Sequence, residues 1–141
     1  MKEYISEAIR NIALVGHGGG GKTSLSEIIL YTAKETNRIG KIEDGNTVSD
    51  YTPNEIDKQI SISSSLMNVE WNNTKINIID APGVSDFIGD IKSALKVSDT
   101  AVLIIKSAEG IEVGTDAARS IIEEYKVPFS ILINKVDNEH S

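Results

Sequence analysis

Five of the chain's eleven glycines fall within the six residues Gly16–Gly21, the stretch GHGGGG. So dense a run cannot lie inside a helix or a strand, because glycine loses more backbone entropy on ordering than any other residue. An element must therefore end before it and another begin after it. Upstream, Asn11–Val15 (NIALV) is a short apolar run of strand character. Downstream, Leu25, Ile28 and Ile29 recur at helical spacing and predict a helix from Lys22 to about Lys34. Strand, glycine loop and helix make the first unit.

The rest of the chain repeats the alternation. Apolar runs at Lys75–Asp80, Ala101–Ile105 and Phe129–Ile133 read as further strands. Between them, Asp86–Val97 places Phe87, Ile91, Ala94 and Leu95 on one helical stripe, and Val113, Ala117, Ala118, Ile121 and Ile122 mark another. Strands alternating with amphipathic helices imply an α/β fold, a doubly wound and mostly parallel sheet joined by right-handed crossovers. One antiparallel strand is expected from a hairpin, Ile60–Trp71 and Lys75–Asp80 about Asn72-Asn73. Its inward alternation changes phase between Ile60/Ile62 and Met67/Val69/Trp71, which predicts a bulge near Ser64–Leu66. The opening MKEYISEAIR reads as a short amphipathic helix with Ile5, Ala8 and Ile9 on one face. From Arg38 to Gln59 the pattern is polar and aperiodic, a long loop of the kind that is commonly functional.

Composition narrows the function classes. The 141 residues make one domain, 40% hydrophobic and large enough for a core without staples. Without cysteine there is no disulfide framework, thiolate metal site or cysteine nucleophile. A net charge of -7 argues against a bulk electrostatic grip on nucleic acid or an anionic membrane. No window reaches the ~18–20 apolar residues of a membrane span, and the first ten residues are not a secretory signal. The expected compartment is the cytoplasm.

Any polyanion must then be held by a local device, and the glycine run supplies one. Gly16, His17, Gly18, Gly19, Gly20, Gly21, Lys22 and Thr23 fit G-x-x-x-x-G-K-[ST]. Backbone N–H groups can curl around a phosphate only where no Cβ intervenes, and the helix beginning at Lys22 adds its positive dipole end. Lys22 would reach the β/γ-phosphates and Thr23 would bind Mg²⁺, with Ser24 counted among the nucleotide-binding residues. Asp80-Ala81-Pro82-Gly83 follows the strand KINII, and an Asp at a strand's carboxyl end points into the crevice where such sheets bind ligands. Asp80 could hold Mg²⁺ opposite Thr23, and Gly83 offers an unobstructed backbone N–H to the γ-phosphate. Asn134-Lys135-Val136-Asp137 follows FSILI. The Asp137 carboxylate can accept both N1–H and N2–H₂ of guanine, a pair adenine lacks. The Lys135 stem could lie over the base, and Asn134 would tie the segment to the phosphate loop.

GHGGGGKT, DAPG and NKVD resemble the phosphate, magnesium and guanine motifs of the translational GTPases. The chain is most similar to the N-terminal G domain of the elongation factor G-like group, through EDGNTVSDYTPNEIDKQISI, IDAPGVSDFIGDIKSAL and SAEGIEVGT. Peptide-release factor 3 and the tetracycline-resistance ribosomal protection proteins resemble it less closely. The resemblance implies binding of GTP/GDP and Mg²⁺, GTP hydrolysis, and a ribosome partner through the full-length protein. It makes Arg38–Ile60 the first switch loop and Ala81–Gly89 the second, and it places Ser61 where the family usually has a threonine that ligands Mg²⁺. Lys22, Ser61 and Gly83 become the residues that act on the γ-phosphate.

Three departures from the family pattern matter. Val84 stands where a histidine usually positions the attacking water, and Gly19 where the phosphate loop usually carries an Asp. Valine neither donates nor accepts a hydrogen bond, so intrinsic hydrolysis is expected to be very slow. His17 counts among the nucleotide-binding residues of the phosphate loop, with a loop-stabilising hydrogen bond as its simpler role, and Arg38 could reach the phosphates. Family G domains also continue past NKVD with a helix, a strand, a guanine-closing loop and a final helix. The chain therefore reads as a fragment lacking them, with Phe129–Ile133 as an exposed edge open to self-association. A non-catalytic GTP-dependent binding module is the competing reading, and NKVD speaks against a third, a P-loop ATPase or kinase.

Overall fold

The computed structural model describes residues 3–83 and 88–137. Five strands form one sheet: β1 (Ile9–Gly16), β2 (Ser65–Trp71), β3 (Thr74–Asp80), β4 (Thr100–Lys106) and β5 (Phe129–Asn134), in the order β2-β3-β1-β4-β5. β1, β3, β4 and β5 run parallel to one another, and only β2 is antiparallel. Among the described residues α1 (Lys22–Thr32), α3 (Ile88–Lys96) and α4 (Val113–Tyr125) pack on it, and α2 (Pro53–Lys58) lies in the segment between α1 and β2. The expected doubly wound sheet with one antiparallel strand is the fold observed.

The core divides along the strand pleat, since successive side chains point to opposite faces. Ala13 and Val15 of β1 join Ile79, Leu103, Leu95 and Ile122 beneath α3 and α4. Leu14 faces the other way and packs with Leu30, Met67, Val69, Ile78 and Ile104 beneath α1. Both faces are covered over β1, β3 and β4, whereas β5 is largely exposed, as at Ile131 (58%) and Ile133 (60%). All four parallel strands end on one side, where the functional loops gather.

Four expectations are corrected. The opening residues are not an amphipathic helix: Ser6–Ala8 make one 3-10 turn, and Ile9 already begins β1 opposite Lys75. Parallel pairing recruits Ile9 and Arg10 and overrides their local pattern. There is no bulge, because the register runs unbroken from Ser65↔Asp80 to Trp71↔Thr74. The phase change arises because Ile60 and Ile62 lie outside the strand. Asn72 and Asn73 do make the turn, both with positive φ (48° and 61°), as a tight hairpin of this hand requires. The long polar segment is not all loop, since Thr52 and Glu55 close a capping box around Pro53 and nucleate α2. Val113, placed on the buried stripe of α4, is 79% exposed, whereas Ala118, Ile121 and Ile122 are buried. Phe87 lies outside the described residues.

Candidate functional site

β1 ends at Gly16, so residues 17–21 cross the carboxyl end of the central strand before α1 starts. Gly21 takes a left-handed conformation at φ +93°, and a Cβ there would run into the Asn134 side-chain amide. Lys22 is 6% exposed, and its Nζ donates to the carbonyl oxygens of Gly16 and His17, each at 3.1 Å. The ammonium is thereby folded across the mouth of its own loop. Thr23 Oγ1 donates to Asp80 Oδ2 at 2.8 Å, joining the start of α1 to the end of β3. A Cβ on Gly83 would strike the Lys22 ammonium and lie 2.6 Å from the Gly18 nitrogen. Only a glycine lets this backbone come so near the loop.

The charges explain what the cavity can hold. Burial lowers the Lys22 pKa, and the carboxylates of Asp80 and Asp50 pull it back up. Burial pushes Asp80 up to about 6, against the Thr23 hydroxyl and Lys22, while Asp50 and Glu27 push it further. Asp50, which the sequence did not single out, is 4% exposed and lines the same cavity as Lys22, Thr23, Ser61 and Gly83. Its pKa is raised first by burial and then by Glu55 and Glu27, with the Ser61 hydroxyl and Lys22 opposing. Among the described residues Asp80 Oδ1 has no hydrogen-bond partner, the buried Asp50 carboxylate has at most the Ser61 hydroxyl, and that hydroxyl lies 3.3 Å from the one of Thr23. Unpaired buried carboxylate oxygens beside two hydroxyls are a hard, oxygen-only donor set with surplus negative charge. Such a set fits Mg²⁺, which prefers oxygen and shares its shell with substrate phosphates and water.

The segment carrying Asp50 and Ser61 is fastened by side chains. Glu55, 3% exposed on α2, accepts at one oxygen from the amides of Ile62 (3.1 Å) and Ser63 (3.4 Å). Its other oxygen accepts from the Thr52 amide and hydroxyl. Burial opposes its charge, but these hydrogen bonds outweigh that and lower its pKa. Glu55 thus fixes the chain just after Ser61. Arg38 does not reach the cavity; it is exposed, and its guanidinium donates to the Asn46 carbonyl at 3.4 Å. Ser24 is likewise exposed and does not line the cavity. Val84 lies outside the described residues.

The third segment meets the first through one hydrogen bond. Asn134 Nδ2 donates to the Gly20 carbonyl at 2.9 Å. The loop after β5 is steadied by Ser107, whose amide donates to the Asn134 carbonyl and whose hydroxyl donates to that of Lys135. Lys135 and Asp137 stand exposed there, on the glycine-loop side of the sheet. His17 braces the loop from the other flank: Nδ1 accepts from the Gly114 amide at 3.2 Å, and Nε2 lies 3.3 Å from Glu112 Oε1.

Residues 7–141 match the family model described as the elongation factor Tu GTP binding domain. The chain belongs to that family. It is 37% identical over 97% of its length to elongation factor G of Gluconobacter oxydans (strain 621H), spanning 20% of that protein. It is equally 37% identical, over 97% of its length, to the mitochondrial ribosome-releasing factor 2 of Scheffersomyces stipitis, spanning 16% of it. A crystal structure of a Thermus thermophilus protein superposes with a TM-score of 0.91 at 34% identity, covering 95% of this chain and 20% of that one. The chain thus spans about a fifth or less of the relatives it matches. Within this GTP-binding domain, the phosphate-loop, DAPG and NKVD segments lie at one rim of one sheet, and no described helix is long and apolar enough to cross a membrane.

Proposed function

We propose that the chain binds GTP and GDP with Mg²⁺ and slowly hydrolyses GTP, as the switch domain of an elongation factor G-like translation factor that acts on the ribosome. The observation that carries this reading is the Thr23–Asp80 hydrogen bond at 2.8 Å beside Lys22, Ser61 and Gly83, with Asn134 joining the NKVD loop to the same glycine loop. Thr23, Ser61 and Asp80 would hold Mg²⁺, with Asp50 behind them. The ion would neutralise phosphate charge as the terminal group departs.

The chain's own groups do the rest. The Gly18–Gly21 amides and the start of α1 bind phosphate oxygens, and Lys22 leaves its two carbonyl partners for the β/γ-phosphates. The backbone N–H of Gly83 meets the γ-phosphate, and with Ser61 it senses whether that group is present. Asp137 and Lys135 select and cover guanine. Gly16, His17, Gly20 and Asn134 shape the loop, and Ser24 contributes only as the neighbour of Thr23. The ribosome would engage through the full-length protein, in a soluble compartment. The β5 edge, where Ile131 is 58% and Ile133 60% exposed, is the face proposed for self-association.

Val84 favours a second reading, a module that binds GTP without hydrolysing it and resets by exchange. Single-turnover phosphate release separates the two. Slow release from the protein alone, accelerated by ribosomes, is expected. No release under either condition would contradict hydrolysis and leave the binding module.

A further inference from the structure

Beyond its charge pushing up the pKa values of Asp50 and Asp80, Glu27 has no part in the chemistry above, yet it is 1% exposed in the second turn of α1. Its Oε2 accepts from the Gly40 amide at 2.9 Å and its Oε1 from the Val48 amide at 2.6 Å. The two amides lie eight residues apart in the first switch loop, so one carboxylate cinches the loop at two points. Between and beside them the loop is closed by Lys41 N to Asn46 Oδ1 at 2.8 Å and by Ser65 Oγ to the Ser49 carbonyl at 2.7 Å. Asp50 follows the second anchor by two residues and lines the cavity. Gly40 fits this arrangement, because a Cβ there would lie 2.6 Å from Glu27 Oε2 and 2.8 Å from the Asn46 carbonyl oxygen.

We propose that Glu27 is a positioning residue that sets the preference for GTP over GDP, by holding the first switch loop against α1 so that Asp50 and Ser61 face the γ-phosphate side of the cavity. The inference rests on the GTP reading above. Ordering a loop on binding costs affinity, and a loop already ordered avoids that cost. GDP has no γ-phosphate to engage the loop and gains little from it. The chemistry needs a carboxylate, since each oxygen must accept from an amide. Glutamine would keep one acceptor and present an NH₂ to the other N–H.

The test compares wild type, Glu27→Gln and Gly40→Ala, the last displacing the same carboxylate from the loop side. Affinities for GDP and for a non-hydrolysable GTP analogue are titrated with Mg²⁺, and amide exchange is followed at Gly40 and Val48. In both variants, analogue affinity should fall about tenfold, equivalent to about 1.4 kcal/mol, while GDP affinity stays within about twofold. The two amides should lose protection. If either folded variant loses affinity for both nucleotides alike, Glu27 has only a structural role and the inference is overturned. It is also overturned if both variants bind and exchange like wild type. A wild type that binds neither nucleotide overturns the GTP reading itself.

Discussion

Lys22→Met is expected to weaken binding of GDP and of GTP analogues by on the order of 10²–10³-fold while the fold persists. Methionine keeps an unbranched apolar stem in a 6% exposed site and removes the ammonium. Lys22 is the cation that opposes the raised pKa values of both Asp80 and Asp50. Without it two buried carboxylates face each other and the incoming phosphates uncompensated. Truncating one partner of a desolvated charge contact to a ligand costs about 2–5 kcal/mol, and a loss of about 3–4 kcal/mol corresponds to the expected fold-change. The Gly16 carbonyl would also lose the lysine donor, while that of His17 keeps the Gly20 amide. Fluorescence titration with a labelled guanine nucleotide reads the affinity, and circular dichroism reads the fold. Wild-type affinity in Lys22→Met would show that the loop binds no phosphate where Lys22 lies.

Asp137→Asn should redirect the base rather than abolish binding. The carboxylate accepts from two guanine donors, and asparagine replaces one acceptor with a donor that suits the C2 carbonyl of xanthine. A bidentate base contact discriminates by about 1–3 kcal/mol, so guanine should lose roughly tenfold to a hundredfold and xanthine gain ground. Asp137 is exposed and outside the core, so stability should be unaffected. Competition between GDP and XDP for a labelled nucleotide measures the change. An unaltered GDP preference would place the base elsewhere.

The parallel sheet was legible because apolar runs such as AVLII have a single solution when both faces are covered, and β4 is flanked by β1 and β5 as that requires. The three motifs were legible because each follows a strand whose carboxyl end lies on the same rim. Less could be read where tertiary contacts overrule local pattern. Leu25, Ile28 and Ile29 marked α1 correctly as a helix, yet Ile28 is 48% exposed and the fully buried face is Lys22, Thr23, Ser26, Glu27 and Leu30. Hydrophobic periodicity cannot find a helix face that is polar because it abuts a charged cavity and a loop.

Glu27, Asp50 and Glu55 were missed for a related reason. Acidic residues in a polar stretch read as solvated, and only the folded loop shows that they are buried among amides and a lysine. For Glu55 a signal was present, since T-P-x-E at Thr52–Glu55 is a capping box with proline at the first helical position. For Asp50 there was none, because its two carboxylate oxygens acquire meaning only beside Lys22, Thr23 and Ser61.

Calorimetric titration of the wild-type chain with GDP and with ADP, at one Mg²⁺ concentration, reaches the central claim most directly. One site binding GDP at least about a hundredfold more tightly than ADP is the predicted result, as a carboxylate paired to two guanine donors requires. Equal affinity for the two, or heat from neither, would contradict a guanine-selective phosphate cradle at this rim.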